Sequence, residues 1–154
     1  MGLFNYPVTF DESEKWFDDF LENRFMMFGD YEDAIVKEEI TLNHSILSPL
    51  MNVGLISPRY VITKSIDFSK ENNIPINSTE GFVRQIIGWR EFIRGIYTAK
   101  GSFERTLNYW GFKRKIPRSF YTGETGIEPI DVSIKKVLRT GYLHHIERLM
   151  ILGN

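Results

Sequence analysis

The sequence predicts an all-α protein, an irregular multi-helix bundle. Three observations lead there. Apolar residues recur at three- and four-residue steps along much of the chain. Alternating patterns of the kind that mark half-buried strands are weak. Capping residues, prolines and glycines fall where helices start and stop. With 154 residues, 42% of them hydrophobic, the chain can bury one real core. Its even scatter of charge excludes a disordered polymer.

The first helix is expected over residues 13–26. Trp16, Phe17, Phe20, Leu21 and Phe25 form its apolar face, and Asp11 or Ser13 is positioned to cap it. An irregular stretch follows over 28–43, punctuated by Gly29. A short helix is expected after Ser45. Ser57-Pro58 is a start signal: a capping oxygen, then a proline whose missing N–H costs nothing in the first turn. That helix should run to about Lys70, and a turn over 72–77 contains Pro75.

Ser78 is expected to open the longest helix, to about Thr98, with Phe82, Ile86, Trp89, Ile93 and Ile96 as its stripe. Gly81, Gly88 and Gly95 lie seven apart on it. Each costs about 1 kcal/mol against alanine in a helix interior. Their spacing suggests that a neighbouring helix or a ligand approaches closely, or simply close packing. A short helix near 102–108 is followed by a glycine- and proline-rich loop over 109–129. A helix over 131–140 ends at Gly141. A last helix begins near Leu143 and ends on the apolar run 149–152, an uncovered face that a complete domain rarely leaves. No internal repeat or low-complexity segment is present.

Composition excludes several classes. There is no cysteine, hence no disulfide, thiolate metal site or cysteine nucleophile; this fits a cytoplasmic protein. Residues 1–10 lack the pattern of a signal peptide, and no apolar run approaches membrane-spanning length. No phosphate-loop or dinucleotide fingerprint occurs. A net charge of −1 predicts no nucleic-acid partner from bulk charge, although a local patch stays open. The aromatic fraction of 14% suits either a large core or flat ligand surfaces.

Chemistry is concentrated in four places. In His144-His145-Ile146-Glu147-Arg148, helical spacing puts His144 and Arg148 on one face and His145 on another. A histidine beside an arginine can donate a proton to a bound substrate; the alternative is a helix start facing water. Adjacent helical histidines do not converge on one ion, so no metal site is expected. In His44-Ser45-Ile46-Leu47-Ser48-Pro49, hydroxyls and N–H groups at a helix start suit a phosphate, or serve only as a cap. Near Trp89, Arg90 and Arg94 are one turn apart, and an exposed Trp89 could stack on a base or a flavin; a buried Trp89 with solvated arginines is the alternative. Lys113-Arg114-Lys115 and Arg118, flanked by Trp110, Phe112, Phe120 and Tyr121, form a basic and aromatic run, or a solvated loop.

Taken in order, Gly29-Asp30-Tyr31-Glu32-Asp33-Ala34, His44-Ser45-x-Leu47-Ser48-Pro49, Gly88-Trp89-Arg90-Glu91-Phe92 and His144-His145-x-x-Arg148 resemble the photolyase/cryptochrome family. The likeness is to the bacterial photolyase-related branch that includes (6-4) photolyases, and it covers nearly the whole chain. The resemblance implies that residues 1–154 form part of a single helical FAD-binding domain of the C-terminal type, without the antenna domain and without the end of the helical domain. It implies FAD contacts from Tyr31, His44, Ser45, Leu47, Ser48, Gln85, Arg90 and Arg148. Trp89 and Arg94 lie on the lesion side, and His144 and His145 where a (6-4) enzyme carries its proton-donating histidine. The implied activity is light-driven repair of UV-damaged DNA, with the reduced flavin passing an electron to a flipped-out lesion. A blue-light sensor without repair is the alternative, and a plain helical interaction domain is a third reading.

Two departures stand out. Where the bacterial branch carries a cysteine ligand of an iron–sulfur cluster, this chain reads Ile127-Glu128-Pro129, which puts the cluster in doubt. Near Tyr121 a tryptophan of the usual electron route is replaced. The chain alone is expected to hold little FAD, to be inactive by itself, and to self-associate through exposed apolar surface.

Overall fold

The computed structural model describes residues 6–153 and contains helices and no strand among them. The elements in order are α1 (Phe10–Asn23), α2 (Phe25–Tyr31), α3 (Ser48–Asn52), α4 (Pro58–Glu71), α5 (Ile76–Thr106), α6 (Ser119–Thr122), α7 (Glu128–Thr140) and a π-helical turn (Glu147–Leu152). The all-α reading holds; several boundaries do not.

The expected first helix is two. Thr9, not Asp11 or Ser13, caps α1: its side chain accepts from the Glu12 amide, and Glu12 reciprocates toward the Thr9 amide. This is the capping-box pairing. The helix breaks at Arg24, and α2 then runs through residues expected to be irregular. α4 begins as expected, with the Ser57 side chain accepting from the Tyr60 amide. The two expected helices over 78–98 and 102–108 are one, because nothing between Thr98 and Ser102 breaks the 31-residue α5. Gly141 ends α7 in the left-handed conformation at φ 72°, as expected of a helix-terminating glycine. The loop over 109–129 contains the short α6.

The core is aromatic and lies in the first half of the chain. Phe17, Phe20, Phe25, Phe28 and Phe82 pack with Leu21, Leu47, Leu50 and Val61. Phe20 and Phe82 have ring centroids 4.9 Å apart, and Phe28 meets Phe82 edge-on at 5.5 Å. α2 crosses α5 closely at Gly29. A Cβ there would lie 2.5 Å from the Ser78 amide nitrogen, so only glycine fits. The Gly29 amide donates to Ser78 Oγ at 2.8 Å, and that hydroxyl donates to the Met26 carbonyl at 3.0 Å. The close approach expected of Gly81, Gly88 and Gly95 is thus at Gly29 instead. A Cβ on Gly81 would meet Phe28 and Glu32 at ordinary contact distance, and Gly88 and Gly95 face open space.

The second half is tied on by polar links. Lys136 and Glu147 are both buried and paired at 2.7 Å. The Lys136 ammonium also donates to the Val36 and Glu39 carbonyls at 3.0 and 2.9 Å. It thereby joins α7, the π-helical turn and the loop that leads to His44. The outer half of α5 has no such cover: Trp89, Phe92, Ile93 and Tyr97 are exposed, as are Leu149 and Met150 near the end of the described chain.

Candidate functional site

The segment from Thr41 to Ser48 is the hinge of the site. It is held in a conformation that its sequence would not choose. Leu42 and Ile46 have φ of 45° and 54°, left-handed values that cost a non-glycine residue on the order of 1 kcal/mol or more. Packing and hydrogen bonds offset that cost. Trp16 donates from Nε1 to the Ser45 carbonyl at 2.8 Å, and Arg24 from Nη1 to the His44 carbonyl at 3.0 Å. Leu47 is buried in the core, so its side chain anchors the segment rather than reaching a ligand. α3 starts at Ser48, three residues later than expected, and no side chain caps it.

At one end of this segment three histidines meet. His44 lies edge-on to His144 with centroids 4.0 Å apart, and 5.1 Å from His145. The His144 and His145 rings are stacked at 4.9 Å with planes 20° apart. The expectation that the adjacent histidines diverge is therefore wrong. It assumed a helix running through both, whereas the backbone turns helical only at His145, so helical spacing does not apply. One ring nitrogen of each histidine lies within 4.8 Å of the other two.

Glu32 and Asp33 form the wall of the cluster. His44 Nε2 sits 2.7 Å from the Glu32 carbonyl, and His145 Nε2 3.3 Å from Asp33 Oδ1. Burial, then the neighbouring His144, pulls the His44 pKa down to about 4. Burial, then His145, does the same to His144, also to about 4. His145 is lowered chiefly by burial, with Asp33 working against the shift. At neutral pH the three rings are uncharged, because adding a proton to one would bury a cation beside two others that compete for it. Glu32 is raised by burial and by Asp33, with the charge of Arg84 opposing the shift. The Gln85 side chain on α5 is exposed.

At the other end of the segment, Ser48 joins Trp89, Arg90, Ile93, Arg94 and Tyr97 around an open hollow of about 360 Å³. Arg90 is half-buried and donates to the Ile86 carbonyl at 3.1 Å, while Arg94 pairs with Glu91 at 2.6 Å. Trp89 is 63% exposed, so the reading in which it is buried falls. A hydroxyl, two guanidiniums and open aromatic faces suit a phosphate-bearing aromatic ligand. The residues present therefore suit phosphate oxygens at Ser48 and Arg90 and a flat aromatic ring at Trp89. Tyr31, at the end of α2, and Arg148 are exposed and are not among the residues lining this hollow. Ser48 and Arg90 thus meet around the hollow, while His44 meets His144 and His145 at the other end of residues 44–48. Sequence reasoning missed Asp33 and the Glu32 carbonyl as partners of the histidines; Asp33 lies within the first motif but carries no signal of its pairing.

No family model matches the chain. A (6-4) photolyase of Agrobacterium fabrum is 36% identical over 151 residues, covering 98% of this chain and 30% of that protein. An uncharacterized protein of Acanthamoeba polyphaga mimivirus is 43% identical over 112 residues, covering 72% of this chain and 85% of that protein. A chloroplastic/mitochondrial cryptochrome DASH of Ostreococcus tauri is 27% identical over 105 residues, 63% of this chain and 19% of that protein. The chain thus spans less than a third of the (6-4) photolyase and most of the viral protein. No helix among the described residues is long and apolar enough to cross a membrane. The helical architecture and the ordered motifs agree with these likenesses, and the chain belongs to the photolyase/cryptochrome family.

Proposed function

We propose that the chain forms the middle of the FAD-binding helical domain of a cytoplasmic, light-driven DNA-repair flavoprotein, with the (6-4) pyrimidine photoproduct as its lesion. The observation that carries this reading is the convergence of His144 and His145 beside the Asp33 carboxylate, together with the likeness to a (6-4) photolyase. The flavin, when bound, supplies the light-driven electron.

The chain's own residues would do the rest. Ser48 and Arg90 would hold phosphate oxygens, and Trp89 offers a stacking face for an extruded base. Arg94 would meet the DNA backbone once released from Glu91. The two site histidines have different surroundings. His144 is 2% exposed and held neutral, so it serves as a neutral hydrogen-bond donor. His145 is half-buried against Asp33, whose charge favours the imidazolium, so it is the better proton donor. Negative charge arriving on a lesion would work with Asp33 against the lowering by burial and raise its proton affinity. Tyr31, His44, Ser45, Gln85 and Arg148 would complete the flavin environment, with Leu47 acting only through the backbone it anchors.

The test is blue-light repair of an oligonucleotide bearing one (6-4) photoproduct, by the protein in its native extent and loaded with FAD. Repair that falls by about 10²-fold or more in His145→Ala, the usual contribution of a general acid, and less in His144→Ala, is expected. Flavin photoreduction without repair in the unaltered protein would favour the sensor instead. The 154-residue chain by itself is expected to bind FAD substoichiometrically and to self-associate through the exposed face of α5.

A further inference from the structure

We propose that His44, His144 and His145 together form a binding site for a divalent transition-metal cation of the zinc class. The proposal is independent of the repair reading, since imidazole ligation needs no flavin and no DNA. Three ring nitrogens, one from each residue, already lie within 4.8 Å of one another. Tetrahedral ligation with metal–nitrogen bonds of about 2.0–2.1 Å sets them about 3.3 Å apart. The rings must therefore draw in by up to about 1.5 Å and turn about their side-chain torsions to present their free nitrogens to one ion.

The surroundings are those that metal-bound imidazoles use. A ligating histidine gives its second nitrogen's proton to a carboxylate or a backbone carbonyl, which fixes the tautomer and leaves the lone pair for the ion. His44 Nε2 faces the Glu32 carbonyl at 2.7 Å, and His145 Nε2 faces Asp33 Oδ1 at 3.3 Å. In each, the donated proton leaves Nδ1 as the lone-pair nitrogen. His144 supplies the independent sign of a missing partner. It is buried, and its Nε2 has no hydrogen-bond partner. Its Nδ1 accepts from the Ile146 amide at 3.1 Å. A buried imidazole with an idle nitrogen is a costly arrangement unless something fills the gap. Ligation through Nε2 moves the ring proton to Nδ1 and releases the Ile146 amide, so the Ile146 amide reports which nitrogen binds.

Occupation has a chemical consequence. Lone pairs given to a cation cannot take up protons, so a bound ion withholds all three rings from proton transfer. If the repair reading also holds, the cation is an inhibitor of that step.

The experiment is titration of the chelator-treated chain with cobalt(II) and then zinc, followed by calorimetry and by the visible absorption of the cobalt complex. One cation per chain, a tetrahedral cobalt band displaced by zinc, and a shift of the Ile146 amide resonance are expected. His44→Ala and His145→Ala should each weaken zinc binding by at least about tenfold. Asp33→Asn, at an exposed side chain that leaves the core untouched, should weaken it by roughly 10-fold as loss of an orienting partner does. Binding that persists unchanged in all three variants overturns the site, as does an unaltered chain that takes up no zinc at millimolar concentration.

Discussion

The two halves of this molecule are held together by different forces. From α1 to the first third of α5, cohesion is apolar: five phenylalanines interlock with leucine and valine, and every member of the main core lies between Phe17 and Ile86. Beyond Ile86, among the described residues only Ile134 and Leu143 are buried apolar residues, and the cohesion comes from Lys136, its partner Glu147 and the two carbonyls Lys136 serves. The first half resembles an ordinary small domain. The second is an arm and a clasp, rich in aromatics that face outward. The contrast teaches that burial of apolar surface holds the first half together, whereas the second leaves its aromatic surface exposed and relies on paired charges.

Substitutions can break or sharpen this contrast. The largest effect is expected at Phe20→Ala, a cut into the centre of the interlocked rings, at about 3–5 kcal/mol by chemical denaturation. Trp89→Ala on the arm should stay within about 0.5 kcal/mol. Equal losses at the two would erase the distinction. Next comes Glu147→Gln, which leaves the buried Lys136 ammonium without its counter-charge. A loss of about 3 kcal/mol is expected, by the usual cost of stranding one member of a buried pair, with amide exchange speeding up over 36–39 and α7 before α1. A change confined to α1–α4 would show that the clasp plays no such part.

The smallest effect is one of pH. His44 and His144 are depressed to about 4 in the folded chain, against about 6.5 when unfolded. Between those values the unfolded chain binds more protons, so acid favours unfolding. Stability is then full above about pH 6.5 and falls as the pH drops toward 4. The groups facing the rings, Asp33 and Glu32 on one side and Lys136 and Arg148 on the other, set how steep the fall is. All 3 histidines of the chain are in this cluster. Melting of the metal-free chain from pH 7.5 to 4.5 should therefore show a slope that flattens in His44→Asn. An unchanged slope would mean that the rings are solvated and the cluster is open.

Much of the fold was legible because its signals are local. Ser57-Pro58, the Gly141 stop and the stripe through Phe82 and Ile86 each depend on residues a turn or two apart. Thr9-Phe10-Asp11-Glu12 carried its own capping pair and was readable on the same terms. The fit of Gly29 against Ser78 was not, since it is decided by a helix 49 residues away; the break at Arg24 was not either, and its guanidinium is held by the His44 carbonyl 20 residues on. The site divides the same way. Helix-start hydroxyls and the arginine pair on α5 could be found in the sequence. The meeting of His44 with His144 could not, because it depends on a loop held in left-handed backbone and clipped by Lys136. The assumption of helical backbone at His144 turned the adjacent ring the wrong way.

The Lys136 clip also fixes an order of events. Its ammonium reaches carbonyls 100 and 97 residues earlier in the chain, and its counter-charge comes from residue 147. The phenylalanine core needs nothing beyond Ile86 and can condense while the rest is still being synthesised. The loop leading to His44 must wait for the far end of the polypeptide, since so long a closure is slow and gains contacts only on arrival. The histidine cluster is accordingly the last part of the chain to take shape, and the first to be lost when the far end is cut away.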